Sequence, residues 1–151
     1  MLWRALLAFL ALPGMVAFAV PLWLGSSELA REGRGLWWPG WPSVLAGVAL
    51  LLWCVREFYI AGRGTLAPWA PPRILVTSGP YRFSRNPMYI AVLAVLLGWS
   101  ALFRSRTLLI YALAVAIAVH LRVVLAEEPW ARRTFGAEWE AYRARVPRWF
   151  L

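Results

Sequence analysis

The chain has 151 residues, of which 62% are hydrophobic and 15% charged, against a usual ~45–50% and ~25% in soluble domains. Its mean hydropathy is +0.60 and its formal net charge +9. These figures exclude a disordered chain, a basic nucleic-acid-binding domain and most soluble enzymes, and leave an all-α integral membrane protein. The basic residues are all Arg and the acidic ones all Glu. Because the Arg residues sit between apolar runs, anionic lipid headgroups are the expected neighbours, with no nucleic-acid partner. Cys54 is the single cysteine and reads as a small buried hydrophobe.

Four apolar runs predict four transmembrane helices, a span needing about 20 residues. The first covers 2–24, and Pro13-Gly14 should kink it. Ala17-Phe18-Ala19 looks like a signal cleavage site. The charged lead-in is only Arg4 and the amino terminus, so a retained span is expected. The second run covers 43–60, with Arg56 and Glu57 near its far end. Residues 61–86 follow, rich in Gly and Pro yet carrying Trp69, Ile74, Leu75, Val76, Tyr81 and Phe83. So long a connection with so many large apolar residues predicts a folded cytosolic cap. The third run, 87–103, and the fourth, 107–125, are joined by Arg104-Ser105-Arg106 in a tight antiparallel hairpin. Beyond them Phe135, Trp139, Tyr142, Val146 and Trp149 form one stripe at helical spacing. They predict a C-terminal amphipathic helix over 129–147, with Gly136 as an interruption near its start. With both termini inside, ten Arg lie on the inner side and four on the outer. That bias places the termini and the cap in the cytoplasm.

Soluble-enzyme signatures are missing: there is no Walker A motif and no G-x-S-x-G, and one His with one Cys makes no metal site. Two segments carry candidate chemistry. In the stretch 79–89, Asn86 is a suitable N-cap and Pro87 a suitable first helical residue. The plain reading is the start of the third span. The functional reading adds that a helix N-terminus with open N–H groups suits a carboxylate, with Arg82 and Arg85 just before it and Tyr81 and Tyr89 alongside. At the inner end of the fourth span stand His120, Arg122, Glu127 and Glu128. Ionisable groups there are either snorkelling at the interface or functional. His120 and Glu127 are seven apart, hence on one helical face.

These residues form a series: Gly79-Pro80-Tyr81-Arg82-x-x-Arg85-Asn86-Pro87-Met88-Tyr89, then Glu127-Glu128, then Phe135-Gly136-x-Glu138 with Tyr142, then Val146-Pro147-Arg148. In order, they resemble the isoprenylcysteine carboxyl methyltransferase and phospholipid methyltransferase superfamily. Gly62-x-Gly64-Thr65-x-Ala67-Pro68 and Pro71-Pro72-Arg73 look like its small bacterial branch. The match runs from about Gly62 to Arg148; the first two spans match only as hydrophobic segments. The resemblance implies an integral enzyme of the bacterial inner membrane, using S-adenosylmethionine and releasing S-adenosylhomocysteine. It implies cofactor contacts on Arg73, Ile74, Leu75, Val76, Tyr81, Asn86, Pro87, Met88, Tyr89 and Glu127. It places Arg122 within about one residue of a substrate-binding arginine. Better-studied eukaryotic members carry His where this chain has Asn86, and Asn does not titrate.

The chemistry expected is methyl transfer to a lipid or lipid-like acceptor. A carboxylate acceptor needs no base and would be held by Arg122, which makes carboxyl O-methylation the first expectation. A phospholipid amine must first lose a proton, with His120 or Glu128 as candidates. A non-enzymatic membrane scaffold or small transporter is the third reading.

Overall fold

The computed structural model describes residues 10–32, 35–60 and 74–150. The expected span start before Leu10, most of the cap, and the candidate Arg73 lie outside the described residues. Within them every regular element is helical. A π-helical stretch, Leu10–Ala19, continues into α1 (Val20–Glu32). A 3-10 turn, Trp38–Gly40, leads into α2 (Trp41–Ile60). A second, Gly79–Arg82, precedes α3 (Pro87–Leu102). Then α4 (Arg106–Arg122) runs through a π-helical turn, Val123–Glu127, into α5 (Glu128–Phe135), and α6 (Ala137–Arg145) closes the chain.

Two helical runs, Trp38–Phe58 and Arg106–Phe135, are long and apolar enough to cross a membrane. Helix α3 is apolar but has 16 residues, roughly 24 Å at 1.5 Å per residue, short of the ~30 Å hydrocarbon thickness. Of the four expected spans, two are matched by full-length apolar helices among the described residues. The outward faces are apolar: Leu45, Leu52 and Trp53 on α2, and Leu109, Ile110, Leu113, Ile117 and Leu121 on α4, are exposed. So broad an exposed apolar surface suits contact with lipid rather than water.

The bundle closes on small residues. A methyl group on Gly98 would meet Val44 Cγ2 at 2.5 Å and Val44 N at 2.7 Å; one on Gly47 would meet Ala91 O at 2.8 Å. These glycines let α2 and α3 approach backbone to backbone, as membrane helices do where packing rather than hydrophobicity drives contact. Ser43 Oγ donates to Ala94 O across the same seam at 2.8 Å. Around it, Val44, Leu51, Val95, Leu96, Leu102 and Leu108 form the core.

Prolines explain two irregular stretches. Pro21 has no N–H, so one carbonyl in the preceding turn loses its helical donor. The carbonyl four residues back, Ala17 O, accepts instead from Trp99 Nε1 at 2.9 Å, and Val16 O beside it accepts from Tyr111 Oη at 3.1 Å. A neighbouring helix thus satisfies the freed group. Pro129 would clash with Leu125 O in a regular α-helix. The chain widens into the π turn just before it, and the Glu128 N–H bonds to Val123 O. The hairpin is as tight as its sequence implies: Ser105 Oγ accepts from Leu108 N at 3.0 Å, and Arg104 takes a positive φ of 51°.

The single amphipathic helix expected over 129–147 is two short ones, divided at Gly136 with φ +52°. Only glycine takes that conformation at low cost, and its N–H closes α5 on Arg132 O. The apolar stripe nevertheless packs as read: Trp139, Tyr142 and Val146 are buried with Ala131 against Leu75, Trp130 and Phe135.

Replacing Gly98 by Leu should force α2 and α3 apart and destabilise the protein by roughly 1–3 kcal/mol or more. Thermal unfolding of detergent-purified protein checks this; an unchanged melting temperature would contradict the close seam.

Candidate functional site

One end of the bundle gathers four segments: residues 78–86, the start of α3, the end of α4 with its π turn, and the tail after α6. The loop is seated on α2 first. Ser78 Oγ donates to Glu57 Oε2 at 2.7 Å, and Gly79 takes φ +56° where a Cβ would lie 2.6 Å from the Glu57 side chain. Phe58 packs edge-on against Tyr81, with ring centroids 5.3 Å apart.

The tail is then fixed to that loop. Tyr142 Oη donates to Tyr81 O at 2.7 Å. Burial pushes the Tyr142 phenol up to about 12, so it remains a donor through the neutral range. Arg85 N donates to Pro147 O at 2.9 Å. Ser84 Oγ and Asn86 Nδ2 both donate to Arg148 O, at 3.1 and 3.0 Å. Asn86 therefore uses its side chain on the tail rather than as a helix cap, and its own N–H bonds to Ser84 Oγ at 3.1 Å. Ser84, fully buried, escaped the sequence reading because a lone Ser in a loop carries no pattern.

Glu128 is the centre of this junction. Arg148 grips it with two N–H groups at 2.8 Å each, and Arg85 Nη1 donates to it at 2.8 Å. Paired Arg148 is raised above the ordinary guanidinium value by its hydrogen bond to Glu128, whereas burial pulls Arg85 down. Arg85 Nε is buried without a hydrogen-bond partner among the described residues. Its guanidinium lies over the Trp139 ring, 5.6 Å from the centroid, where the π face takes up part of that charge. Both Glu128 oxygens are thus engaged by guanidinium groups, and the residue ties the loop to the tail.

Glu127 points elsewhere, since adjacent helical residues differ by roughly 100° around the axis. Its Oε1 accepts from Tyr89 Oη and, at 2.7 Å, from Arg122 Nε. Thus a residue of the first turn of α3 meets the end of α4 through one carboxylate. The Glu127 side chain is 36% exposed, so the group is reachable from solvent. Helix α3 begins at Pro87, and by helical geometry the N–H groups of Met88 and Tyr89 lack intrahelical acceptors. His120 stands further up, its ring stacked on Trp149 at 6.1 Å and its Nδ1 accepting from Trp149 Nε1 at 3.3 Å.

The remaining candidates lie close by in different environments. Ile74 is exposed. Leu75 packs on the tail and Val76 is buried with Cys54 and Tyr81. The Tyr81 ring is buried and its carbonyl already engaged by Tyr142. Pro87 is buried and Met88 packs against the core. Among the described residues, no three His, Cys, Asp or Glu side chains gather as a metal site.

Replacing Glu128 with Gln leaves Arg85 and Arg148 facing one another. It should cost about 1–3 kcal/mol and expose the tail to trypsin at Arg143, Arg145 and Arg148. Thermal unfolding with timed proteolysis measures both, and a tail cut no faster than in the wild type would refute the clamp.

A family model described as phospholipid methyltransferase matches residues 38–138. The chain is 35% identical over 100 residues to the nickel-cobalt-cadmium resistance protein NccN of Alcaligenes xylosoxydans xylosoxydans, covering 66% of this chain and 42% of that protein. It is 33% identical over 129 residues to the cobalt-zinc-cadmium resistance protein CzcN of Cupriavidus metallidurans, covering 78% of this chain and 55% of that one. The chain thus spans about half the length of the curated relatives it matches. No solved structure matches it.

Proposed function

The chain belongs to the phospholipid methyltransferase family, and from that membership we propose that it is a membrane-embedded, S-adenosylmethionine-dependent methyltransferase of a lipid or lipid-like acceptor. The observation that carries this reading is the meeting of Tyr89 and Arg122 on Glu127 beside the open start of α3. The cluster fits the cofactor by charge and donor type: an accessible carboxylate for its ammonium or ribose, and helix N–H groups for its carboxylate. When bound, S-adenosylmethionine supplies an electrophilic methyl on a cationic sulfur.

The protein's task is then alignment of two reactants, which is proximity catalysis. Tyr89 and Arg122 hold the Glu127 carboxylate towards the α3 start. The Glu128 junction keeps the tail across the adjoining loop. Arg122, 51% exposed at the end of α4, offers an anion site to an acceptor arriving sideways from lipid, which favours carboxyl O-methylation. The family's description favours the amine headgroup instead. For an amine, a base must be freed first: the Glu128 oxygens are occupied, and His120 Nδ1, the lone-pair nitrogen of the neutral ring, accepts from Trp149 Nε1. The Arg bias along the chain supports a cytoplasmic site and cytoplasmic termini in a bacterial inner membrane. The metal resistance named for the relatives is compatible with an enzyme that alters membrane lipids.

Calorimetry with adenosylhomocysteine tests the cofactor site. Wild type should bind, and Glu127→Gln should weaken binding roughly tenfold to a hundredfold, the worth of one charged hydrogen bond. A folded wild type that does not bind, or a Glu127→Gln protein that binds normally, would overturn the assignment. Lipid extracts from expressing cells given a labelled methyl donor identify the acceptor: base-labile label marks an ester, base-stable label a methylamine.

A further inference from the structure

A second polar feature lies on the other side of Glu128, outside the Tyr89–Glu127–Arg122 cluster. A groove of about 330 Å³ between the π turn, α5 and α6 is lined by Val124, Glu128, Pro129, Arg132, Arg133, Trp139 and Arg143. That volume is at the small end of ligand pockets, ~300–1,000 Å³. Its charge does not balance. Glu128 is committed to Arg85 and Arg148. Arg132 and Arg143 share one carboxylate, Glu140, at 2.7 and 3.3 Å. Three guanidinium groups therefore border the groove against that single shared acid.

Depth points to the ligand. From Arg106 to Leu125 the helix runs for 20 residues, roughly 30 Å, the thickness of the hydrocarbon layer. Leu121 and Leu125 are exposed at that end. The groove begins beside them at Val124, and Arg132 and Arg133 stand about two turns further out, at headgroup level. An acyl chain lying along Leu121 and Leu125 would bring its phosphate to the arginines, with Trp139 and Pro129 as walls.

We propose that this groove binds the phosphate of an anionic membrane phospholipid, at a site separate from the one where methyl transfer occurs. The proposal rests on the membrane placement given above but not on the cofactor assignment. Arginine suits the role because its planar fork holds phosphate oxygens in pairs. A lipid held there would also brace α5 against α6, across the break at Gly136.

The test uses the full chain purified in neutral detergent, titrated with short-chain phosphatidylglycerol, short-chain phosphatidylcholine or inorganic phosphate, and read by melting temperature. Phosphatidylglycerol should stabilise wild type at concentrations roughly tenfold below those of phosphatidylcholine. The double variant Arg133→Gln/Arg143→Gln should lose that preference, while Arg133→Lys/Arg143→Lys retains most of it. Adenosylhomocysteine binding should be equal in wild type and both variants, which separates failure of this site from failure of the methyltransferase reading. Equal response to the two lipids, or a glutamine variant that keeps the preference, would overturn the proposal. Stabilisation by inorganic phosphate as strong as by phosphatidylglycerol would overturn the lipid assignment.

Discussion

The end of the bundle where α3 begins depends on one carboxylate held by two arginines from distant parts of the chain. Glu128 leaves the end of a long helix, Arg85 precedes another, and Arg148 lies on the tail. Charged pairs at this depth are costly to desolvate, and they hold only when the geometry is good and the remaining donors are met. Here Arg148 binds through two N–H groups, and Arg85 lays its guanidinium over the Trp139 ring. Around that junction the backbone follows. Three hydrogen bonds from residues 84–86 fix Pro147 and Arg148, and Tyr142 fixes the helix before them.

The two neighbouring glutamates divide the work because a helix turns them apart. Glu128 faces the loop and tail; Glu127 faces the start of α3, where Tyr89 and Arg122 meet it. One carboxylate is sealed into structure, at 14% exposure, and the other stays open at 36%. The π turn that precedes Pro129 sets this orientation, since a regular helix would clash at the proline and rotate both side chains differently. A helix irregularity forced by one residue thus places the candidate chemistry.

The bundle beneath is governed by the absence of water as a partner. Glycines at 40, 47 and 98 bring α2 and α3 together. Trp99 donates to the Ala17 carbonyl that Pro21 leaves without a helical donor, and Tyr111 to that of Val16. The first is close packing; the second meets the requirement that backbone polar groups be satisfied within the protein.

Much of this was legible in the sequence. Apolar runs marked the helices because burial and lipid contact both demand them over a helical length. The tight turn at Ser105, the break at Gly136 and the stripe through Trp139, Tyr142 and Val146 followed from local backbone chemistry and period. The motif series named Arg85, Asn86, Tyr89, Glu127, Glu128 and Arg148, which meet at one end of the bundle, and the family match over 38–138 agrees with it. Other features depend on contacts between residues far apart in the chain. Asn86 reads as a cap and instead holds Arg148, 62 positions away. Glu128 reads as a possible base, and its oxygens are taken up by Arg85 and Arg148. Ser84 carries no pattern at all. A sequence fixes what each segment prefers by itself, through helical period, proline and glycine. Which carboxylate is sealed and which stays open is decided only when tertiary packing chooses the partners, because desolvation and hydrogen bonding act on neighbours in space.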